Sequence, residues 1–178
     1  MNKKPLLSIA IPTYNRVDHL ENLLNCIVPQ AIEFKGEVQI CISNNSSVDN
    51  TREFVLGLQK KYPNLIKYQE NEKNLGFDMN VLRVVEMSDG EYIWTFSDDE
   101  SMVDDGLDQV VKLISGVDKN KTGMIFVRMD LYFIDKKSSK KVFYMSFLGR
   151  DKPDMFEMEK KYIIGIPFTD PGSMSPII

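Results

Sequence analysis

The chain has 178 residues, enough for one domain with a substantial core and too few for two ordinary ones. Its 43% hydrophobic and 27% charged residues are those of a soluble globular protein, and a net charge of -4 at pH 7 without clustered cations sets nucleic acid aside as a partner. The longest apolar runs, Leu6 to Ile11 and Met124 to Val127, fall far short of the roughly 20 residues of a membrane span, so no transmembrane segment is expected. The opening MNKKPLLSIAIP has the charge and apolarity of a signal peptide, but it passes into Pro12-Thr13-Tyr14-Asn15 without a small-residue cleavage site and reads as a first strand. Cys26 and Cys41 are isolated, as in a chain kept in reducing cytosol.

Leu6 to Ile11 is a short apolar run closed by proline, and Val17, Leu20, Leu23, Leu24 and Ile27 follow it at helical spacing. Val38 to Ser43 reads as a buried strand. Ser46 with Asp49 forms a plausible capping box, and Phe54, Val55, Leu58 and Tyr62 mark the buried stripe of a second helix. Ile66 to Gln69 gives a third strand and Gly76 a turn. Val81, Leu82, Val84 and Val85 lie on a helix leading to a fourth strand, Glu91 to Phe96. Strand and helix alternate, so a mainly parallel, Rossmann-like sheet flanked by helices is predicted for the first hundred residues. Leu107, Val110, Val111 and Ile114 suggest another helix. Met124 to Tyr132 and Val142 to Phe147 suggest strands joined by the lysine-rich turn Lys136 to Lys141, so the second half reads as more antiparallel. The turn is read as solvated rather than as a membrane contact. The tail Thr169 to Pro176 lacks a closing element, and the chain is expected to stop within its domain.

In open α/β sheets, ligands bind beyond the carboxyl ends of the strands, and three such ends are polar here: Pro12-Thr13-Tyr14-Asn15-Arg16, Asn44 to Asp49, and Ser97-Asp98-Asp99-Glu100. Amides and hydroxyls suit a base and ribose, while carboxylates suit the cation that a diphosphate requires. Three consecutive acids repel one another unless something offsets them. A divalent ion, Mn2+ or Mg2+, does so; so does the N-terminus of a following helix, and spacing alone leaves both open.

Taken in order, SIAIPTYNR, ISNNSSVDNT, NLGFDMN and DGEYIWTFSDDE resemble the signature of family 2 glycosyltransferases, over about residues 5–115. The resemblance implies an α/β GT-A fold: one domain over 1–178, with a nucleotide-sugar-binding half at 1–115 and the start of an incomplete acceptor half at 116–178. It implies an enzyme that moves a sugar from a nucleotide-diphosphate donor to a glycan or lipid-linked glycan acceptor, metal-dependent and inverting, in bacterial surface polysaccharide synthesis. The setting implied is cytoplasmic, with peripheral association at the inner face of the membrane.

Position by position, the resemblance places Pro12, Thr13, Tyr14 and Arg16 beside the nucleotide and Asn44 where the family has a base-reading aspartate, which leaves the donor base open. Asp49 matches the acid that follows in that motif and reads equally as a helix cap. Gly76, Asp78 and Asn80 resemble a loop closing over the donor, although Gly76 reads equally as a turn and Asp78 as a cap. The acidic motif departs from the family's DxD: Ser97 stands at its first aspartate and Asp99 at its second, as in a branch of the family acting on bacterial surface polysaccharides. The metal is accordingly assigned to Asp99 and Glu100, with Asp98 on the nucleotide side. No catalytic base is identified: Asp170 is a weak candidate in a turn-like Thr-Asp-Pro-Gly setting, and the base is expected beyond Ile178.

His19 reads as a surface residue and Trp94 as core. A sugar nucleotidyltransferase is disfavoured because the chain lacks a glycine-rich basic N-terminal loop. A receiver domain is disfavoured because the third strand ends in Gln69-Glu70-Asn71 rather than at an aspartyl phosphoacceptor, and neither GxGxxG nor GxxxxGK[ST] occurs. A non-catalytic sugar-nucleotide-binding module remains the alternative.

Overall fold

The computed structural model describes residues 4–116 and, beyond them, the backbone of four strands at 124–126, 130–134, 141–146 and 162–165. In chain order the elements are β1 (Leu7–Thr13), α1 (Val17–Ala31), β2 (Val38–Asn44), α2 (Thr51–Lys61), β3 (Ile66–Glu70), α3 (Phe77–Met87), β4 (Tyr92–Thr95) and α4 (Gly106–Ser115). β5 (Met124–Phe126), β6 (Asp130–Ile134), β7 (Lys141–Ser146) and β8 (Tyr162–Gly165) follow. The expected strand over 124–132 is therefore two strands, β5 and β6, and they lie in different sheets; β8 had no counterpart in the sequence reading. Asp170, the tail and the lysine-rich turn before β7 lie outside the described residues.

The main sheet runs β3-β2-β1-β4-β8-β5 and is parallel throughout its described pairings, while β6 and β7 form a separate antiparallel pair. β1 is buried along nearly its whole length, as a central parallel strand must be, and its side chains alternate between two unlike faces. Leu7, Ile9 and Ile11 join Val38, Ile40 and Ile42 in a core with Leu20, Leu23, Leu24 and Ile27 of α1 and Leu107, Val110, Val111 and Ile114 of α4. Trp94 lies in this same core, edge-on to Phe96 with ring centroids 5.0 Å apart. Each such fully buried aliphatic side chain contributes about 1.5–3 kcal/mol relative to exposure.

The opposite face carries Ala10, Cys41 and Ile93 against Val84, Val85 and Met87 of α3. Small residues at Ala10 and Cys41 leave room for α3 to lie close on the sheet. At the entry to β4, Gly90 donates its amide to Ser8 Oγ at 2.8 Å, and a Cβ there would fall 2.4 Å from the Ser8 backbone nitrogen. Only glycine permits that approach.

From β1 the sheet grows through β2 to β3 on one side; the chain then crosses back and lays β4 on the other. That reversal opens a crevice beyond the carboxyl ends of β1 and β4.

Candidate active site

The crevice is closed at its base by two buried side chains. Thr13 ends β1 at 2% exposure and donates its hydroxyl to Asp98 Oδ2 at 2.8 Å; Asp98, in the turn after β4, is 4% exposed. Arg16 stands immediately before α1, and one of its nitrogens, Nη1, lies 3.2 Å from Asp98 Oδ1 and 3.1 Å from Asp99 Oδ2. Asp99 is half-exposed, and its other oxygen accepts the Ser97 hydroxyl. All four oxygens of the two acids thus have a donor. Burial raises the Asp98 carboxyl above its usual range, against the pull of Thr13 and Arg16. Burial also works against the Arg16 charge, but the two carboxylates outweigh it and raise the guanidinium pKa.

Glu100 stands apart from this group. Its Oε2 turns back to accept the Ser97 amide at 3.4 Å, and burial, with a smaller contribution from the Asp99 charge, pushes its carboxyl up to about 7. Among the described residues, no three His, Cys, Asp or Glu side chains form a cage for a metal. The arrangement still suits Mg2+ or Mn2+ bound together with a substrate, since such ions take one or two carboxylates and complete their shell with phosphate oxygens and water. A cationic nitrogen already sits between Asp98 and Asp99, which shows that the pair accommodates positive charge.

The loop after β2 is fastened to the loop after β1. Asn15, at φ 52, donates its amide to Ser47 Oγ at 2.8 Å and accepts the Val48 amide at 2.8 Å; Ser46, at φ 63, turns the chain between them. The expected capping box from Ser46 is therefore not formed: that φ puts Ser46 in a turn, and Asn50 is the residue that precedes α2. Asp49 does the capping, and for two helices. Its Oδ2 accepts the Val17 amide at the start of α1 at 3.0 Å, and its Oδ1 accepts the Thr51 amide at the start of α2 at 3.1 Å and the Thr51 hydroxyl.

Asn44 is fully buried; its amide donates to Tyr68 Oη at 3.0 Å, and its carbonyl accepts the Ser47 amide at 3.0 Å. The structure thus ties Asn44 into the loop rather than presenting it to the crevice. Pro12 is partly buried at the end of β1, and Tyr14 is 42% exposed at the rim.

A network of asparagines that sequence reasoning missed holds the third side. Asn80 Oδ1 accepts Ser43 Oγ at 2.7 Å and Asn71 Nδ2 at 3.0 Å, while its Nδ2 donates to the carbonyls of Ser43 at 3.0 Å and Thr13 at 3.3 Å. Asn45 donates to Asn74 Oδ1 at 2.9 Å and the Gly76 carbonyl at 3.1 Å, and accepts Asn71 Nδ2 at 3.0 Å and the Leu75 amide at 2.9 Å. Gly76, at φ 83, makes the turn into α3 and stands at its cap position, its amide donating to Asn74 Oδ1 at 2.8 Å; Asp78 lies inside the first turn and is not the cap. The available signal was the concentration of asparagines at strand ends, a residue that both donates and accepts.

A parallel sheet with polar strand ends at its switch point, closed by a Thr–Asp–Arg–Asp cluster, defines an α/β protein of the kind that binds ligands beyond the carboxyl ends of its strands. The family profile described as glycosyl transferase family 2 matches residues 8–172, and the chain belongs to that family. It is 42% identical over 102 residues to the abequosyltransferase RfbV of Salmonella typhimurium, across 57% of this chain and 30% of that protein. It is 30% identical over 109 residues to the GalNAc(5)-diNAcBac-PP-undecaprenol beta-1,3-glucosyltransferase of Campylobacter jejuni, across 61% of this chain and 34% of that protein. The chain therefore spans about a third of the length of these relatives. Among solved structures it superposes on the Pyrobaculum calidifontis mannosyltransferase PcManGT in complex with GDP-Man and Mn2+, with a TM-score of 0.59 and 20% identity over 70% of this chain and 36% of that one. S. aureus TarS in complex with UDP gives a TM-score of 0.55 and 22% identity over 67% and 34%. The fold is that of the GT-A glycosyltransferases.

Proposed function

We propose that this chain is the donor-binding part of an inverting, metal-dependent glycosyltransferase that moves a sugar from a nucleoside diphosphate to a glycan or lipid-linked glycan acceptor of a bacterial surface polysaccharide. The observation that carries this reading is the Thr13–Asp98–Arg16–Asp99 cluster at the mouth between β1 and β4. Pro12, Thr13, Tyr14, Arg16 and Asp98 line the nucleotide side, and Asp78 lies at the entry of α3, where the donor's far end would pass. Asn44 supports the base pocket from beneath, through Tyr68 and Ser47. Asp99 is the metal ligand, because it is the half-exposed acid of the pair. Glu100 lies next to it and joins only if its carboxyl leaves the Ser97 amide.

When bound, a divalent ion offsets the charge that grows on the departing diphosphate. The protein's own part is to hold the donor at the switch point, with the carboxylates placed for the cation and the guanidinium for the phosphates. The surface-polysaccharide setting draws on the names of the two relatives, an abequosyltransferase and an undecaprenol-linked glucosyltransferase. No helix among the described residues is long and apolar enough to cross a membrane, and a cytoplasmic location with peripheral contact at the inner face is part of the proposal.

Calorimetric titration of UDP, GDP, CDP and dTDP, each with and without Mn2+, tests it. One diphosphate is expected to bind only with Mn2+, and Asp99→Asn to weaken it at least tenfold. Equal binding with and without metal, or an unaffected Asp99→Asn, overturns the metal assignment.

A further inference from the structure

We propose that Arg16 is a built-in counter-ion that holds the cation position between Asp98 and Asp99 until a metal and a diphosphate arrive together and draw its guanidinium away. This rests on the metal-dependent reading above and adds a role for a residue on the protein side.

Two neighbouring carboxylates at the end of an apolar strand repel each other and need positive charge nearby. In this fold Arg16 supplies it, through one nitrogen nearly equidistant from one oxygen of each acid, at 3.2 and 3.1 Å. The remaining two oxygens are taken by the Thr13 and Ser97 hydroxyls. Each oxygen keeps a second lone pair, so the neutral hydroxyls can stay, but a metal with oxygens at roughly 2.0–2.1 Å cannot share the gap between the two acids with another cation. The Thr13 and Ser97 hydroxyls are neutral and do not oppose a metal, whereas the Arg16 guanidinium does, and its side chain is 50% exposed just before α1. Arg16 is the donor that yields.

An arginine does not escape this competition by losing its proton, so it leaves only as a cation and needs a new anionic partner. A diphosphate in the crevice is such a partner. Metal alone has to oppose the guanidinium; metal with diphosphate does not, because the phosphates accept Arg16 while their oxygens complete the metal's shell. The two ligands are thereby coupled, and the coupling is reciprocal.

The test is Mn2+ binding to the whole chain, followed by electron paramagnetic resonance without nucleotide and with saturating UDP, GDP, CDP or dTDP. The wild type is expected to bind Mn2+ weakly alone and at least tenfold tighter with the diphosphate it accepts. Arg16→Gln is expected to bind Mn2+ alone at least tenfold tighter than the wild type, and to lose most of the nucleotide's enhancement. Mn2+ should also raise the melting temperature of Arg16→Gln more than that of the wild type, which a merely structural arginine would not produce. If Arg16→Gln does not fold, Arg16→Lys serves: its shorter reach over both acids predicts Mn2+ binding several-fold tighter than the wild type. Mn2+ binding to the folded variant that is equal to or weaker than the wild type's overturns the counter-ion role. Absence of nucleotide-dependent Mn2+ binding in the wild type overturns the metal reading beneath it, and the counter-ion role with it.

Discussion

Glu100 is one position beyond the acids that grip Arg16, yet it behaves as a separate group. Burial raises its carboxyl from 4.5 to about 7, so the fold favours the protonated form. The resulting stabilisation is complete below about pH 4.5 and is lost as the pH rises through 7, where the buried carboxylate becomes a net cost. Glu100→Gln in EDTA should therefore leave stability nearly unchanged at pH 4.5 and raise it by about 1–3 kcal/mol at pH 8, as read from urea unfolding. An equal change at both pH values would show that the effect is packing rather than charge. At Asn44 the chemistry is again specific to the residue: its amide donates to the Tyr68 oxygen, which itself lies 3.3 Å from a Glu70 oxygen. A carboxylate at position 44 could not donate to that oxygen and would add a second negative charge beside Glu70.

At the level of elements, Asp49 is the joint between α1 and α2, because one carboxylate serves the first amides of both. The hydrogen bonds from Thr51 and Val17 overcome the effect of its burial and lower its pKa. Its contribution is accordingly present above the usual carboxylate range and is lost as the pH falls through the lowered value. Asp49→Ala should cost about 1–2 kcal/mol of stability, with faster amide exchange in the first turns of both helices; exchange that changes in α2 alone would refute the shared joint. The helices themselves were legible because their apolar positions repeat at the period of the helix: Leu20, Leu23, Leu24 and Ile27 in α1 and Leu107, Val110, Val111 and Ile114 in α4 are all buried as the spacing required. Caps were less legible. Ser46 and Asp49 fit the capping pattern, but the pattern does not reveal that Ser46 adopts a positive φ or that Asp49 reaches a helix 32 positions earlier. β8 escaped notice because four residues carry little periodicity, and its place is set by pairing with β4 and β5, remote in sequence.

At the scale of the molecule, the buried Asn80 joins several elements at once: it fastens α3 to the ends of β1 and β2 and, through Asn71, to the end of β3. Asn80→Ala would remove the acceptor of the buried Ser43 hydroxyl and one hydrogen bond each from the Asn71 amide and the Ser43 and Thr13 carbonyls, while Asn45 would still hold the Asn71 amide and the Thr13 carbonyl. A loss of about 3 kcal/mol or more is expected in urea unfolding, with weakened nucleotide binding in whatever remains folded; a loss below about 1 kcal/mol would mean that water or a shifted neighbour replaces the amide. The strand-end loops of the site could be read from sequence because the fold rule places them there, whereas the asparagines showed only as a concentration at strand ends: which of them pair is decided after three strands are aligned. Thr13 and Asp98 are 85 positions apart. During synthesis that separation becomes a delay. β1 leaves the ribosome early and gains β2 along one edge, but its other edge stays open until Tyr92–Thr95 emerges, on the order of seconds later at typical elongation rates. An open apolar edge is a template for another chain, so the nascent protein passes through an interval of aggregation hazard; β4 closes it at β1 and brings the acidic loop to Arg16 in the same event, and the open edge then passes to β4 until β8 pairs with it.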